Sequence, residues 1–160
     1  ADVFSDELPA RTADCLALCH SRYPEELPPH MNRYLMVMLG AALGGLARYV
    51  VGTAVLQRFT VRFPENVFPL GTLVVNVTGC FAIGILMTLF VDRGDPNPNL
   101  RLLLVTGVLG GYTTFSAFGW ESFEAIQKEQ IWIGLSNIVL SVVLGYLAVW
   151  CGSLVGRAFR

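Results

Sequence analysis

The chain has 160 residues, 54% of them hydrophobic and only 14% charged, with a mean hydropathy of +0.56. Soluble domains carry about a quarter charged residues, and here the charges collect at the ends of long apolar runs; this excludes an ordinary soluble domain and predicts an integral membrane protein. The net charge of -1 hides an asymmetry, because six of the 12 acidic residues but only Arg11 and Arg22 of the 11 basic ones precede Met31. An acidic leader thus precedes a mildly basic membrane region, and no dense basic patch with interleaved aromatics points to nucleic acid.

Residues 1–30 hold Pro9, Pro24, Pro28 and Pro29 and no apolar run long enough to span a bilayer. Without a basic start and an apolar core they do not read as a signal peptide, and Met31-Asn32-Arg33 reads as a fresh beginning. The expectation is a polar, dispensable leader (1–30) followed by a four-span domain (31–160). Residues 12–20 can form a short amphipathic turn of helix. Cys15-x-x-x-Cys19-His20 lacks the second ligand pair that a structural metal site needs.

The first span is predicted over about 34–56. Gly40-x-x-x-Gly44, with Ala41, Ala42, Gly45 and Ala47, predicts close helix packing, since small residues let backbones approach in lipid. Arg48 lies well inside this span. It either snorkels to an aqueous boundary, or faces a vestibule where it draws anions or pairs with a carboxylate. A polar connector follows over 57–68. The second span, about 69–91, carries Asn76 deep within it, between Thr72 and Thr78. Its amide suits either interhelical bonding or a pore.

Asp92-Arg93-Gly94-Asp95-Pro96-Asn97-Pro98-Asn99 is a surface loop. The third span, about 100–127, contains Gly107-Val108-Leu109-Gly110-Gly111-Tyr112-Thr113-Thr114-Phe115-Ser116-Ala117-Phe118. Glycines followed by paired threonines loosen a helix. In hydrocarbon a broken helix survives only where its freed backbone groups are buried in protein or line a wet cavity. The sequence therefore predicts a third helix broken mid-membrane at a transport site. Phe115 and Phe118, three apart, share a face if helix resumes there, as core filling or as a pore wall. The fourth span, about 131–155, has Asn137, Ser141 and Gly145 at four-residue spacing, which is either a packing seam or a polar track.

Four spans put both termini on one side. Arg33, Arg93, Arg101, Arg157 and Arg160 then face Arg58, Arg62 and Lys128 across the membrane. Orientation follows such asymmetries, and one this weak permits insertion either way round.

Three blocks resemble the CrcB/Fluc fluoride channels: Gly44-Gly45-x-x-Arg48-Tyr49, Gly71-Thr72-x-x-x-Asn76-x-x-Gly79-x-Phe81, and Gly107-x-x-Gly110-Gly111-x-Thr113-Thr114-Phe115-Ser116-x-Phe118. The similarity covers about 31–160. It implies an all-α membrane protein that assembles as an antiparallel, dual-topology homodimer and passes fluoride passively through the cell membrane, relieving fluoride toxicity. The resemblance also implies a structural sodium ion between the subunits, on the carbonyls of Gly110 and Thr113. It assigns Asn76, Phe115, Phe118 and Ser141 to the fluoride pore, together with Thr114 and Asn137, and Arg48 and Glu121 to the charged vestibule. Ala117 and Gly119 depart from the hydroxyl residues usual at their positions, and Asn137 stands where a tyrosine often lies.

The chemistry is coherent without the resemblance. Fluoride is strongly hydrated, so a pore must replace its water with donors: amide N–H, hydroxyls, or the positive rim of an aromatic ring. Weak ring-edge contacts leave the ion free to depart, as conduction requires. The competing reading is a small four-span, dual-topology drug or cation exporter, which needs an acidic residue deep in a span. Spans one, two and four have none. No nucleophile–base pair, metal cluster or phosphate loop indicates an enzyme.

Overall fold

A computed structural model describes residues 31–62, 68–92 and 97–159; the leader and its Cys15/Cys19/His20 cluster lie outside the described residues. Helix α1 is Met31–Arg62 and α2 is Leu70–Asp92. The third span divides into α3, over 98–112, and α4, Phe115–Gln127. Helix α5 is Ile131–Ala158. Four segments are long and apolar enough to cross a membrane: Asn32–Phe59, Leu70–Val91, Pro98–Gln127 and Ile131–Ala158. The described residues contain no strand. The all-helical, four-span architecture expected from the sequence is therefore present. Helix α1 runs past the expected end near residue 56 because Gln57 and Arg58 are good helix formers that continue it beyond the apolar stretch.

Helix ends follow local chemistry. Asn97 caps α3, its side chain accepting the Leu100 N–H at 3.1 Å, with Pro98 in the first turn where no amide partner is needed. Between α4 and α5 the chain reverses through Glu129, whose φ of 62° is left-handed. Lys128 pairs with Glu124 one turn earlier, at 2.7 Å.

Glycine dominates the interior. Nine of the sixteen buried residues among those described are glycines, so the helices meet backbone to backbone, as expected where lipid removes the drive to bury large apolar side chains. A Cβ on Gly40 would lie 2.8 Å from the Gly107 Cα, and one on Gly44 would collide with the Val108 carbonyl. The Gly40-x-x-x-Gly44 motif is thus the face of α1 that packs on α3, whose Gly111 in turn abuts Ala41. Helices α2 and α5 close in the same way, Gly84 against the Val149 carbonyl and Gly152 against that of Phe81. Large apolar side chains such as Met38, Tyr49, Trp132 and Tyr146 stay outside, available to lipid or to a second copy.

The glycines of the third span do not break it. Leu102–Leu109 winds as a π-helix, and Gly110–Tyr112 continue as α-helix. The interruption falls on the two threonines: Thr113 has ψ 156° and Thr114 is extended at φ -149°, ψ 113°. Gly107 and Gly111 serve close approach to α1, and the wide π turns before them shift the helical register just ahead of the break.

Candidate functional site

An extended pair of residues inside a membrane helix leaves amides and carbonyls without ladder partners, at several kcal/mol each in hydrocarbon. Asn76 on α2 resolves this for Thr114. Its Nδ2 donates to the Thr114 carbonyl at 3.1 Å, and its Oδ1 accepts the Thr114 N–H at 2.8 Å. The side-chain amide therefore pairs with the broken backbone as a neighbouring strand would. Both sequence alternatives for Asn76 meet here: it bonds across helices, and the second N–H of its amide remains free of Thr114.

The flanking contacts fix the same spot. Thr114 caps α4, its Oγ1 accepting the Ala117 N–H at 3.3 Å. The Leu109 carbonyl accepts both the N–H and the hydroxyl of Thr113, each at 3.0 Å. Tyr112 meets Thr78 of α2 at 2.9 Å; the Thr78 hydroxyl already donates to the Val74 carbonyl at 2.7 Å, so the tyrosine is the donor.

Two cavities flank the break, and Thr114 lines both. The first, about 300 Å³, is bounded by Arg48, Thr53, Thr72, Ala117 and Glu121 among others. In it the Thr72 hydroxyl donates to Glu121 Oε1 at 2.6 Å, while Glu121 Oε2 is buried without a hydrogen-bond partner among the described residues. Arg48 faces this cavity and forms no ion pair among the described residues.

The second cavity, about 380 Å³, gathers Asn76, Gly110, Thr113, Thr114, Phe115, Phe118 and Ser141. The two rings stand 5.4 Å apart and tilted by 52°. Phe115 is 83% exposed on the single chain, so it is not filling that chain's core. Of the residues the sequence nominated for a pore, Asn137 alone lies elsewhere. It is 1% exposed and lines neither cavity. The four-residue stripe on α5 is thus mixed, with Asn137 and Gly145 in the packing seam and Ser141 at the cavity wall.

The carbonyls of Gly110 and Thr113 lie beside the break. In an unbroken α-helix they would accept the N–H of Thr114 and of Ala117. Those amides instead donate to Asn76 Oδ1 and Thr114 Oγ1. Both oxygens are released from the ladder beside the break, and Gly110 is exposed on the single chain.

Sequence reasoning did not assign Thr72, Ser122 or the Tyr112–Thr78 pair to the site. Thr72 carried a legible signal, one turn before Asn76 on the same helix. Ser122 carried none, because its role depends on which face of α5 meets α4.

Comparison with known proteins places the chain in a family. A family model described as "CrcB-like protein, Camphor Resistance (CrcB)" matches residues 35–153. A protein of Solibacter usitatus named fluoride-specific ion channel FluC is 54% identical over 125 residues, 78% of this chain and 98% of its own length. Proteins of the same name from Acidobacterium capsulatum (45% identical, 78% of this chain, 96% of that protein) and Rhizobium meliloti (46% identical, 80% and 98%) are also similar. With the family match over most of the chain and relatives aligned over nearly their full length, the chain belongs to the CrcB family.

Proposed function

We propose that the chain is a multi-pass cell-membrane channel that passes fluoride down its gradient, each functional unit being two copies in antiparallel orientation. The observation that carries the reading is the convergence of Asn76, Thr114, Phe115, Phe118 and Ser141 on one cavity at the helix break, in a chain whose relatives are named fluoride channels. Arg48 attracts the anion into the first cavity. Beyond Thr114 the free N–H of Asn76 and the hydroxyl of Ser141 replace water on the ion, and the edges of Phe115 and Phe118 line its path. Each contact is single and weak, so the ion is dehydrated without being trapped.

The pairing of two copies is supported by what one chain leaves open. Phe115 and Gly110 are exposed on the single chain, and both line the second cavity. The weak charge bias between the two membrane faces supports insertion in both orientations. Sodium is the cation proposed for the released carbonyls of Gly110 and Thr113, two from each copy. Bound there, it would supply a fixed positive charge at the centre of the pair.

The exporter alternative finds no support. Its name appears on none of the relatives described above, and α1 and α5 hold no acidic residue. The test is direct: purified protein in liposomes, with neither ATP nor a proton gradient, should dissipate a fluoride gradient and leave a chloride gradient standing. Equal chloride flux, or no fluoride flux from a folded protein, would overturn the reading.

A further inference from the structure

We propose that Asn137 is a positioning residue that ties two walls of the conduction cavity together through a buried chain of hydrogen bonds; the inference rests on the fluoride-conduction reading. Asn137 is one of the two largest fully buried side chains among the described residues. Its Nδ2 donates to Ser122 Oγ on α4 at 2.8 Å, and the Ser122 hydroxyl donates in turn to the Phe118 carbonyl at 2.8 Å. On its other side, the Ser141 hydroxyl donates to Asn137 Oδ1 at 3.5 Å. Every donor points the same way, from Ser141 through Asn137 and Ser122 to Phe118. Hydrogen bonds aligned head to tail polarise and strengthen one another in a low-dielectric setting.

The two ends of this chain are both cavity residues and sit on different helices, Phe118 on α4 and Ser141 on α5. An anion held between a ring edge and a hydroxyl requires their separation to be fixed. Packing brings the helices together nearby, since a Cβ on Gly134 would lie 2.8 Å from the Ser122 carbonyl. Close approach sets the distance but leaves sliding open, and the Asn137–Ser122 bond pins the register.

The unequal bond lengths give Asn137 a second effect. At 3.5 Å the Ser141 link is long and weak, so the hydroxyl rests on Asn137 Oδ1 and turns readily to a passing anion. When the ion leaves, the same oxygen takes the hydroxyl back. Ser141 is thereby a donor that keeps a partner when the ion leaves, which eases release, and the weakness of that bond keeps the cost of capture small.

The test uses the full chain in liposomes at less than one dimer per vesicle. The fraction of fluoride-loaded vesicles that empties then counts competent channels, and the rate of emptying reports the throughput of each. Asn137→Leu and Ser122→Ala are each expected to slow emptying about tenfold, the scale of a buried hydrogen bond transmitted to the site, while most of the vesicles still empty. Because both substitutions cut one chain, the double variant should be slower than the slower single by no more than about twofold. A purely structural role would lower the fraction of vesicles that empties and leave the rate unchanged. That result, or losses that multiply in the double variant, overturns the proposal. Should Asn137→Leu fail to fold, Ser122→Ala, which removes only a hydroxyl, must still slow the rate, and an unchanged rate overturns the proposal. Failure of the fluoride reading is separately visible as absence of flux in the unsubstituted protein.

Discussion

Replacing Asn76 by Asp is the sharpest perturbation of the break, because it alters charge and donors with almost no change in shape. The new carboxylate still accepts the Thr114 N–H, now bonded at 2.8 Å, but can no longer donate to the Thr114 carbonyl, now bonded at 3.1 Å. Losing that donor removes a hydrogen bond to the Thr114 carbonyl and sets a carboxylate oxygen against it, at about 1–3 kcal/mol. For the ion the consequence is larger. The free N–H that met fluoride is gone, and a negative charge takes its place. Two like charges about 4 Å apart, at an effective dielectric constant of about 20, repel by about 4 kcal/mol, which is close to a thousandfold in rate. The expected outcome is a folded protein with a modestly lowered unfolding midpoint and fluoride flux at the background of protein-free liposomes. Flux within tenfold of the unsubstituted channel would show that no anion passes near this side chain, and the assignment of the second cavity as the conduction path would fall.

Three further outcomes follow from other parts of the site. Phe115→Ile keeps an apolar side chain on an exposed position and removes the ring edge; flux should fall about tenfold or more, the upper range of aromatic electrostatics, with the unfolding midpoint unchanged, and unaltered flux would return Phe115 to a packing role. Gly44→Ala drives a methyl into the Val108 carbonyl and should destabilise the fold by about 1–3 kcal/mol or more, read as an early thermal transition in detergent, whereas Gly45→Ala, with nothing within 4 Å of the added carbon, should be silent in the single-chain fold. Thr72→Val removes the hydroxyl that donates to Glu121 at 2.6 Å, a bond to a carboxyl group whose second oxygen already lacks a partner; stability should drop by about 1–3 kcal/mol and return with Thr72→Ser.

Much of this was legible in the sequence. Span number and approximate limits follow from apolar run length and the confinement of charge to the connectors, which reflect the solvent and not the tertiary contacts. The convergence of Asn76, Thr114 and Phe115 was legible for a similar reason: polar residues and a helix break in hydrocarbon must satisfy one another. The position of the break was legible only to within a turn. Gly107, Gly110 and Gly111 looked like its cause, yet glycine in a helix serves equally for close approach, and that choice is made by Ala41 and Gly40 on another helix. The burial of Asn137 away from both cavities was not legible either. Four-residue spacing with Ser141 puts both on one face, but Asn137 is buried on Ser122 of α4 while Ser141 lines the cavity.

The same reasoning explains why the conduction site and the structural repair share a residue. A backbone opened within hydrocarbon to release the Gly110 and Thr113 carbonyls needs a polar side chain opposite it, or the opening closes into continuous helix. A primary amide can satisfy both an N–H and a C=O at once and, unlike a hydroxyl, has one donor left over. That surplus N–H is fixed in direction by two bonds to Thr114, and on the proposed reading it is the preorganised anion contact. A consequence is that substitutions at Asn76 always mix loss of the break with loss of the ion contact. Phe115 separates the two, because it lies in the same cavity, is exposed on the single chain and takes no part in the repair. If conduction is lost on Phe115→Ile while the break and its bonds to Asn76 stand, the ion path is a property of the cavity and not merely of an intact helix break.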